Sequence, residues 1–268
     1  MSNVISRVQE HYNESLKHFL SSQVVGCFLQ GSQNYGLAYE GSDVDTKLIV
    51  VPTFKDIALN RKPVSTTHVR ANDEHTDWKD VRLYMETFRK QNLNFLEILF
   101  TDYKVMNPYY ANQWNRLIAK REEIARMNPW RAVKSMKGIA MEKYHAMKHP
   151  YPSKLDILAE HGYDGKQVSH LIRVADYLAR YINGESYESC LFPSPYLYDE
   201  IMAYKLHKIP LEIAEKRADE VIDSVSVIAD NFCNKTFDNE NVEMRELLED
   251  VQYEIMKQAV SLEVLTGV

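Results

Sequence analysis

Two aspartates one residue apart, Asp43-Val44-Asp45, are the residues of this chain best suited to chemistry. The stretch Val44 to Val51, which contains the second of them, reads as a strand ending at Pro52. Strand side chains alternate faces, so Asp43 and Asp45 project the same way while Val44 points into a core. Two carboxylates so close repel unless something positive lies between them. Mg²⁺, or Mn²⁺ in its place, is the natural partner: it is hard, prefers oxygen ligands and accepts phosphate oxygens into its shell. Upstream, a shorter apolar run, Val24 to Leu29, leads to Gly31-Ser32. Gly31 lets a triphosphate approach the backbone, and Ser32 adds a hydroxyl and an amide. Backbone N–H groups at a turn entering a helix favour an anion. Either fragment alone is common. The ordered set of strand, Gly-Ser, ten residues, Asp-x-Asp and strand is far more specific.

The elements that would position these residues follow from hydrophobic periodicity. Val4 to Leu20 has helical spacing, and Gln33 to Tyr39 has room for one or two helical turns. Thr53 to Trp78 is polar and without a clear period. A short third strand, or its end, is expected at Lys79 to Arg82, and a helix over Leu83 to Phe100. Asn128-Pro129 starts a helix that runs to about Lys148. Another begins near Gly165 and stops at Asn183-Gly184, where glycine suits a left-handed cap. Two more are expected from about Pro210 to Phe232 and Val242 to Val260. The plan is α/β in the broad sense (α+β): a short mixed sheet with flanking helices, then a helical C-terminal domain. The division is expected between Tyr103 and Asn128, giving domains 1–115 and 116–268 with the site in the cleft between them.

The stretch GSQNYGLAYEGSDVD, Gly31 to Asp45, resembles the signature of the DNA polymerase β superfamily of nucleotidyltransferases. Within that superfamily the chain looks closest to predicted nucleotidyltransferases of bacteria and their phages. That closer likeness adds Asn92-x-Asn94-x-x-Glu97 with Leu99, Lys134-Ser135-x-Lys137-Gly138, and Tyr163 to Lys166 running into His170-Leu171-Ile172-Arg173. The later blocks are less specific than the first. The resemblance implies a nucleoside triphosphate such as ATP as donor, a divalent metal, and transfer of a nucleoside monophosphate with release of pyrophosphate. It also implies a third acid on a later strand, completing the metal site and helping to deprotonate the acceptor. Asp80 is the first choice, ahead of Asp77 and then Glu97. The competing reading of Asp80 is a helix N-cap.

Lys166, His170 and Arg173 fall at i, i+4 and i+7, one helical face that Tyr177 continues. A solvated stripe is the default for such a face. Its cationic character in an acidic chain, and its place in a resembling block, make it a second candidate for phosphate or acceptor contact. Lys134 and Lys137 are weaker candidates of the same kind. Trp78, Trp114 and Trp130 read as packing residues.

The formal net charge of -6 argues against a non-specific nucleic-acid coat but leaves room for a local basic patch that holds a tRNA or other RNA 3′ end, so an RNA end, a protein hydroxyl and a small molecule all stay open as acceptor. Cys27, Cys190 and Cys233 are too scattered for a zinc knuckle and read as reduced thiols. The N-terminus lacks the pattern of a signal peptide, and no apolar run approaches bilayer length. A cytoplasmic enzyme without a membrane anchor is therefore expected. Two rival readings are a nucleotide-binding regulator that has lost catalysis and an interaction protein in which the motif is coincidental.

Overall fold

Residues 2–266 are described in a computed structural model. Five strands form one mixed sheet in the order β3-β4-β2-β1-β5. The chain enters through helix α1 (Ser2–Ser15), then β1 (Val24–Gln30), a 3-10 turn over Ser32–Tyr35, and β2 (Asp45–Val50). Helix α2 (Phe54–Ala58) is followed by β3 (Ser65–Val69) and β4 (His75–Asp80). Helices α3 (Val81–Arg89) and α4 (Leu93–Leu96) precede β5 (Lys104–Met106), α5 (Ala111–Ala119) and α6 (Arg121–Ala125). β1 pairs antiparallel with β2 and β5, β3 pairs antiparallel with β4, and β2 pairs parallel with β4.

The polar stretch that gave no period thus holds α2, β3 and most of β4. Its pattern is obscured because β3 is an edge strand, exposed along most of its length. β4 buries polar residues, Thr76 and Asp80, that sequence reading places at a surface. The expected helix over Leu83–Phe100 is also interrupted. Gln91 takes a left-handed conformation (φ 56°), and the Asn92 side chain caps a new short helix by accepting from the Asn94 amide.

One sheet face is covered by α1. Its Val8 packs with Cys27, Leu29, Val44, Leu48, Val50 and Trp78. The other face carries Phe28, against which Trp114 of α5 stacks with ring centroids 4.9 Å apart.

Two compact units divide the chain, residues 1–127 with 240–268, and residues 128–239. The division falls at 127/128, inside the expected Tyr103–Asn128 interval but later than 115/116, and the last helix returns to the first unit. That helix, α13, follows the helices of the second unit: α7 (Pro129–Ala146), α8 (Leu155–His161), α9 (Gly165–Ile182), α10 (Tyr187–Leu191), α11 (Tyr198–Lys205) and α12 (Leu211–Lys235). α13 itself spans Val242–Thr266. Its buried residues Met244, Leu248, Val251, Ile255 and Ala259 recur at helical spacing, and it packs on α3 and α5.

Within the second unit α9 is the hub, packed by α7, α10, α11 and α12. Its first residue, Gly165, donates its amide to His207 Nε2 at 2.9 Å. A Cβ there would lie 2.0 Å from the Tyr204 carbonyl oxygen. Helix propensity alone favours alanine over glycine by up to about 1 kcal/mol. The backbone clash reverses the sign, so Gly165→Ala is expected to destabilise the protein by about 1–3 kcal/mol. Urea unfolding of the two proteins checks this, and a stabilised variant would contradict the packing.

Candidate active site

Strand parity and register decide which acids can meet. In the parallel pair Lys47 lies opposite Asp77 and Val50 opposite Asp80. Asp45 and Lys47 share a face of β2, so Asp77 stands on the face of Asp45. Asp80, three residues further, stands on the other. An open cleft of about 230 Å³ is lined by Gln30, Asp45, Thr46, Thr67, His75 and Asp77. That is less than a drug-sized pocket, enough to seat part of a nucleotide.

The first choice, Asp80, lies away from Asp45 and is engaged elsewhere. Its partner Val50 lies five residues along β2 from Asp45, roughly 16 Å at strand rise. Its carboxylate is buried and caps α3, accepting from the Arg82 amide at 2.9 Å. The Arg82 guanidinium grips both its oxygens, at 2.9 and 2.7 Å. Glu97, the third choice, is also committed elsewhere. It is buried and accepts the Gly31 N–H at 2.9 Å. The second choice, Asp77, lies beside Asp45 in the cleft.

Asp45 and Asp77 are each about one-third exposed. Asp45 Oδ1 accepts the His75 amide at 3.0 Å, and Oδ2 has no hydrogen bond among the described residues. Asp77 Oδ1 accepts from the Thr67 hydroxyl at 2.6 Å, and Oδ2 from the Lys47 ammonium at 3.2 Å. Asp43 is exposed just before β2, while Val44 is buried in the core, as the alternation predicts. Asp43 is not among the residues lining the cleft. No group of three His, Cys, Asp or Glu among the described residues is placed to hold a metal ion.

The Gly-Ser turn closes the end of β1. Gly31 has φ 92° and ψ -156°, a conformation essentially reserved for glycine. Its amide is held by Glu97, while the space a side chain would occupy there is open. The Ser32 hydroxyl has no hydrogen-bond partner among the described residues.

Beneath Val44 lies a buried polar cluster that sequence reading missed. Glu74 Oε1 accepts the Val44 amide at 2.9 Å and also pairs with Arg7. Its other oxygen accepts from His11 Nε2 at 3.1 Å, Asn72 Nδ2 at 2.7 Å and Arg70 at 3.4 Å. Glu74 thereby pins the middle of the Asp-x-Asp segment from below. His11 Nδ1 lies 2.8 Å from the Thr46 hydroxyl and 3.0 Å from that of Thr76. A neutral ring protonated on Nε2 satisfies both sides: it donates to Glu74 and accepts from a threonine. Burial, then the charges of Arg70 and Arg7, lower the His11 pKa to about 4. One signal was available, since His11 and Ser15 occupy the apolar stripe of α1 begun by Val4 and Val8.

Two lysines occupy the same sheet face. Lys47 is buried, with its ammonium 4.1 Å from the Phe95 ring centroid. The Lys79 ammonium is 3.8 Å from the same centroid and 5.9 Å from that of Tyr84. Burial and the charge of Lys47 lower the Lys79 pKa.

The cationic face of α9 belongs to the second unit and is not a solvated stripe. Arg173 and Tyr177 are buried, because neighbouring helices surround α9. Lys166 is exposed and His170 half-buried. The His170 pKa falls well below its ordinary value, first through burial and then through Arg173, Lys143 and Lys166. Lys137 is paired with Asp230, and Lys134 lies over the Trp130 ring. All three cysteines are free, with Cys27 and Cys190 buried. Among the described residues no helix is long and apolar enough to cross a membrane.

No family model and no curated protein matches this chain. Among solved structures it is similar to a nucleotidyltransferase-like protein from Exiguobacterium sibiricum 255-15. The TM-score is 0.32 and the identity 9%, over 97% of this chain and 91% of that one.

Removing Glu74 would strand the charges gathered on it, so Glu74→Ala is expected to cost about 3–5 kcal/mol in urea unfolding. For His11 the sign follows from linkage. Below pH 6.5 the unfolded chain takes up a proton that the folded chain refuses until about pH 4. This group's contribution to stability is therefore full above pH 6.5 and falls as pH drops towards 4. His11→Asn should flatten the stability–pH curve in that window, and an unchanged slope would contradict the neutral ring.

Proposed function

We propose that this protein is a nucleotidyltransferase of the polymerase β type, moving a nucleoside monophosphate from a nucleoside triphosphate to a hydroxyl acceptor. One observation carries the reading. The signature Gly31-Ser32 turn leads to a strand whose Asp45 shares an open cleft with Asp77 on the parallel neighbour. In this reaction the acceptor oxygen attacks the α-phosphorus in line. The bond from that phosphorus to the β-phosphate bridge breaks, and pyrophosphate leaves. The hydroxyl proton passes to a cleft carboxylate. Ser32 offers its hydroxyl to a phosphate oxygen.

The donor set suits Mg²⁺ or Mn²⁺. Such ions are usually held by one or two carboxylates, with substrate phosphates and waters filling the shell. Asp45 and Asp77 would hold the ion, with Asp43 two residues upstream. Bound there, it would supply charge neutralisation and an acidified acceptor hydroxyl. The acceptor hydroxyl belongs to an RNA 3′ end such as that of a tRNA, to a protein or to a small molecule.

A second reading, a nucleotide-binding regulator without turnover, is favoured by one observation: both Asp77 oxygens already accept from Thr67 and Lys47. Incubation with each α-labelled triphosphate, Mg²⁺ or Mn²⁺ and cell extract separates the two. Label transfer with pyrophosphate release supports the enzyme, and binding without release supports the regulator. Asp45→Asn and Asp77→Asn should each lower pyrophosphate release by about 100-fold or more. Asp80→Asn should leave the rate within about threefold, because asparagine still caps α3. Loss of turnover in Asp80→Asn with the fold intact would return Asp80 to the site.

A further inference from the structure

The Lys79 ammonium is half-buried and makes no hydrogen bond or ion pair among the described residues. Its contacts are the Phe95 and Tyr84 rings. Lys47 beside it takes the ion pair with Asp77, so Lys79 is the one of the two without a direct ion-pair partner. A desolvated ammonium is costly without an acceptor, and a ring face replaces only part of its hydration. Lys79 does not itself line the cleft, but it stands two residues from Asp77 on the same strand face, about 7 Å along β4 and within the length of a lysine side chain. A structural role alone would be served by an uncharged side chain over Phe95.

We propose that Lys79, with Lys47 behind it, is a polyphosphate-binding element of this cleft and takes the triphosphate of the donor nucleotide. Phe95 holds the two ammoniums side by side. Asp77 neutralises the inner one, and the outer one is left for an anion. This rests on the nucleotidyltransferase reading for the identity of the anion, and on the geometry alone for an anion site.

The test is calorimetric titration of the full-length protein with inorganic tripolyphosphate and with ATP, alongside pyrophosphate release from all four triphosphates. The proteins are wild type, Lys79→Met and Lys79→Arg. Lys79→Met is expected to weaken tripolyphosphate and ATP binding by about 10- to 100-fold, the worth of one charge-assisted hydrogen bond. Lys79→Arg should restore most of it. The melting temperature of Lys79→Met should be unchanged or higher, since a costly charge is removed. Affinity unchanged in Lys79→Met overturns the proposal, whatever the turnover. A lowered melting temperature with unchanged affinity does the same, assigning Lys79 to packing. Lys79-dependent tripolyphosphate binding without pyrophosphate release from any triphosphate upholds the anion site and removes the transferase reading. No tripolyphosphate or ATP binding by the wild type overturns the proposal.

Discussion

The parallel pairing of β2 with β4 is the constraint from which the cleft follows. With Lys47 opposite Asp77, every odd-numbered residue from 45 to 49 shares a face with the odd-numbered residues of β4. Asp45 and Asp77 line one cleft only because of that register. A slip of one residue would turn Asp77 into the core under α1 and bring Asp80 outward. The register is held by what packs on either side. Thr46 bonds Thr76 at 3.1 Å beneath the sheet, and Lys47 bonds Asp77 above it.

Buried charge is spread over both faces of this sheet, and with the exception of Lys79 a matching set of donors or acceptors accompanies it. Glu74 collects Arg7, Arg70, His11 and Asn72 on the side of α1. Asp80 is enclosed by Arg82 and the start of α3. Such groups are strongly destabilising when one partner is lost, so they hold the backbone segments between them in place. For the Asp-x-Asp segment the anchor is the Val44 amide on Glu74, from the face opposite the cleft. Lys79 lies over the Phe95 and Tyr84 rings without a direct ion-pair partner.

Much of this architecture was legible in order and period. β1, the Gly-Ser turn, β2, α7, α9, α12 and α13 lie close to where apolar spacing and caps place them. Gly184 takes the left-handed conformation (φ 88°) expected after α9. The hairpin of β3 and β4 was not legible, because an exposed edge strand and a strand with buried polar residues show no alternation. The interruption of the helix at Gln91 was likewise hidden, since its left-handed turn involves no glycine or proline.

By itself the sequence determined the chemical alphabet of this protein: a Gly-Ser turn and an Asp-x-Asp strand start, ordered along an α+β plan. Those are local properties of neighbouring residues, and local periodicity is enough to read them. Only the tertiary structure decided that Asp77 joins Asp45 while Asp80 caps a helix, because strand pairing is non-local and parity divides the two acids between faces. It also decided that Arg173 is core and that the last helix joins the first unit. Both depend on which helices pack against which, and a single helix's own pattern does not contain that information.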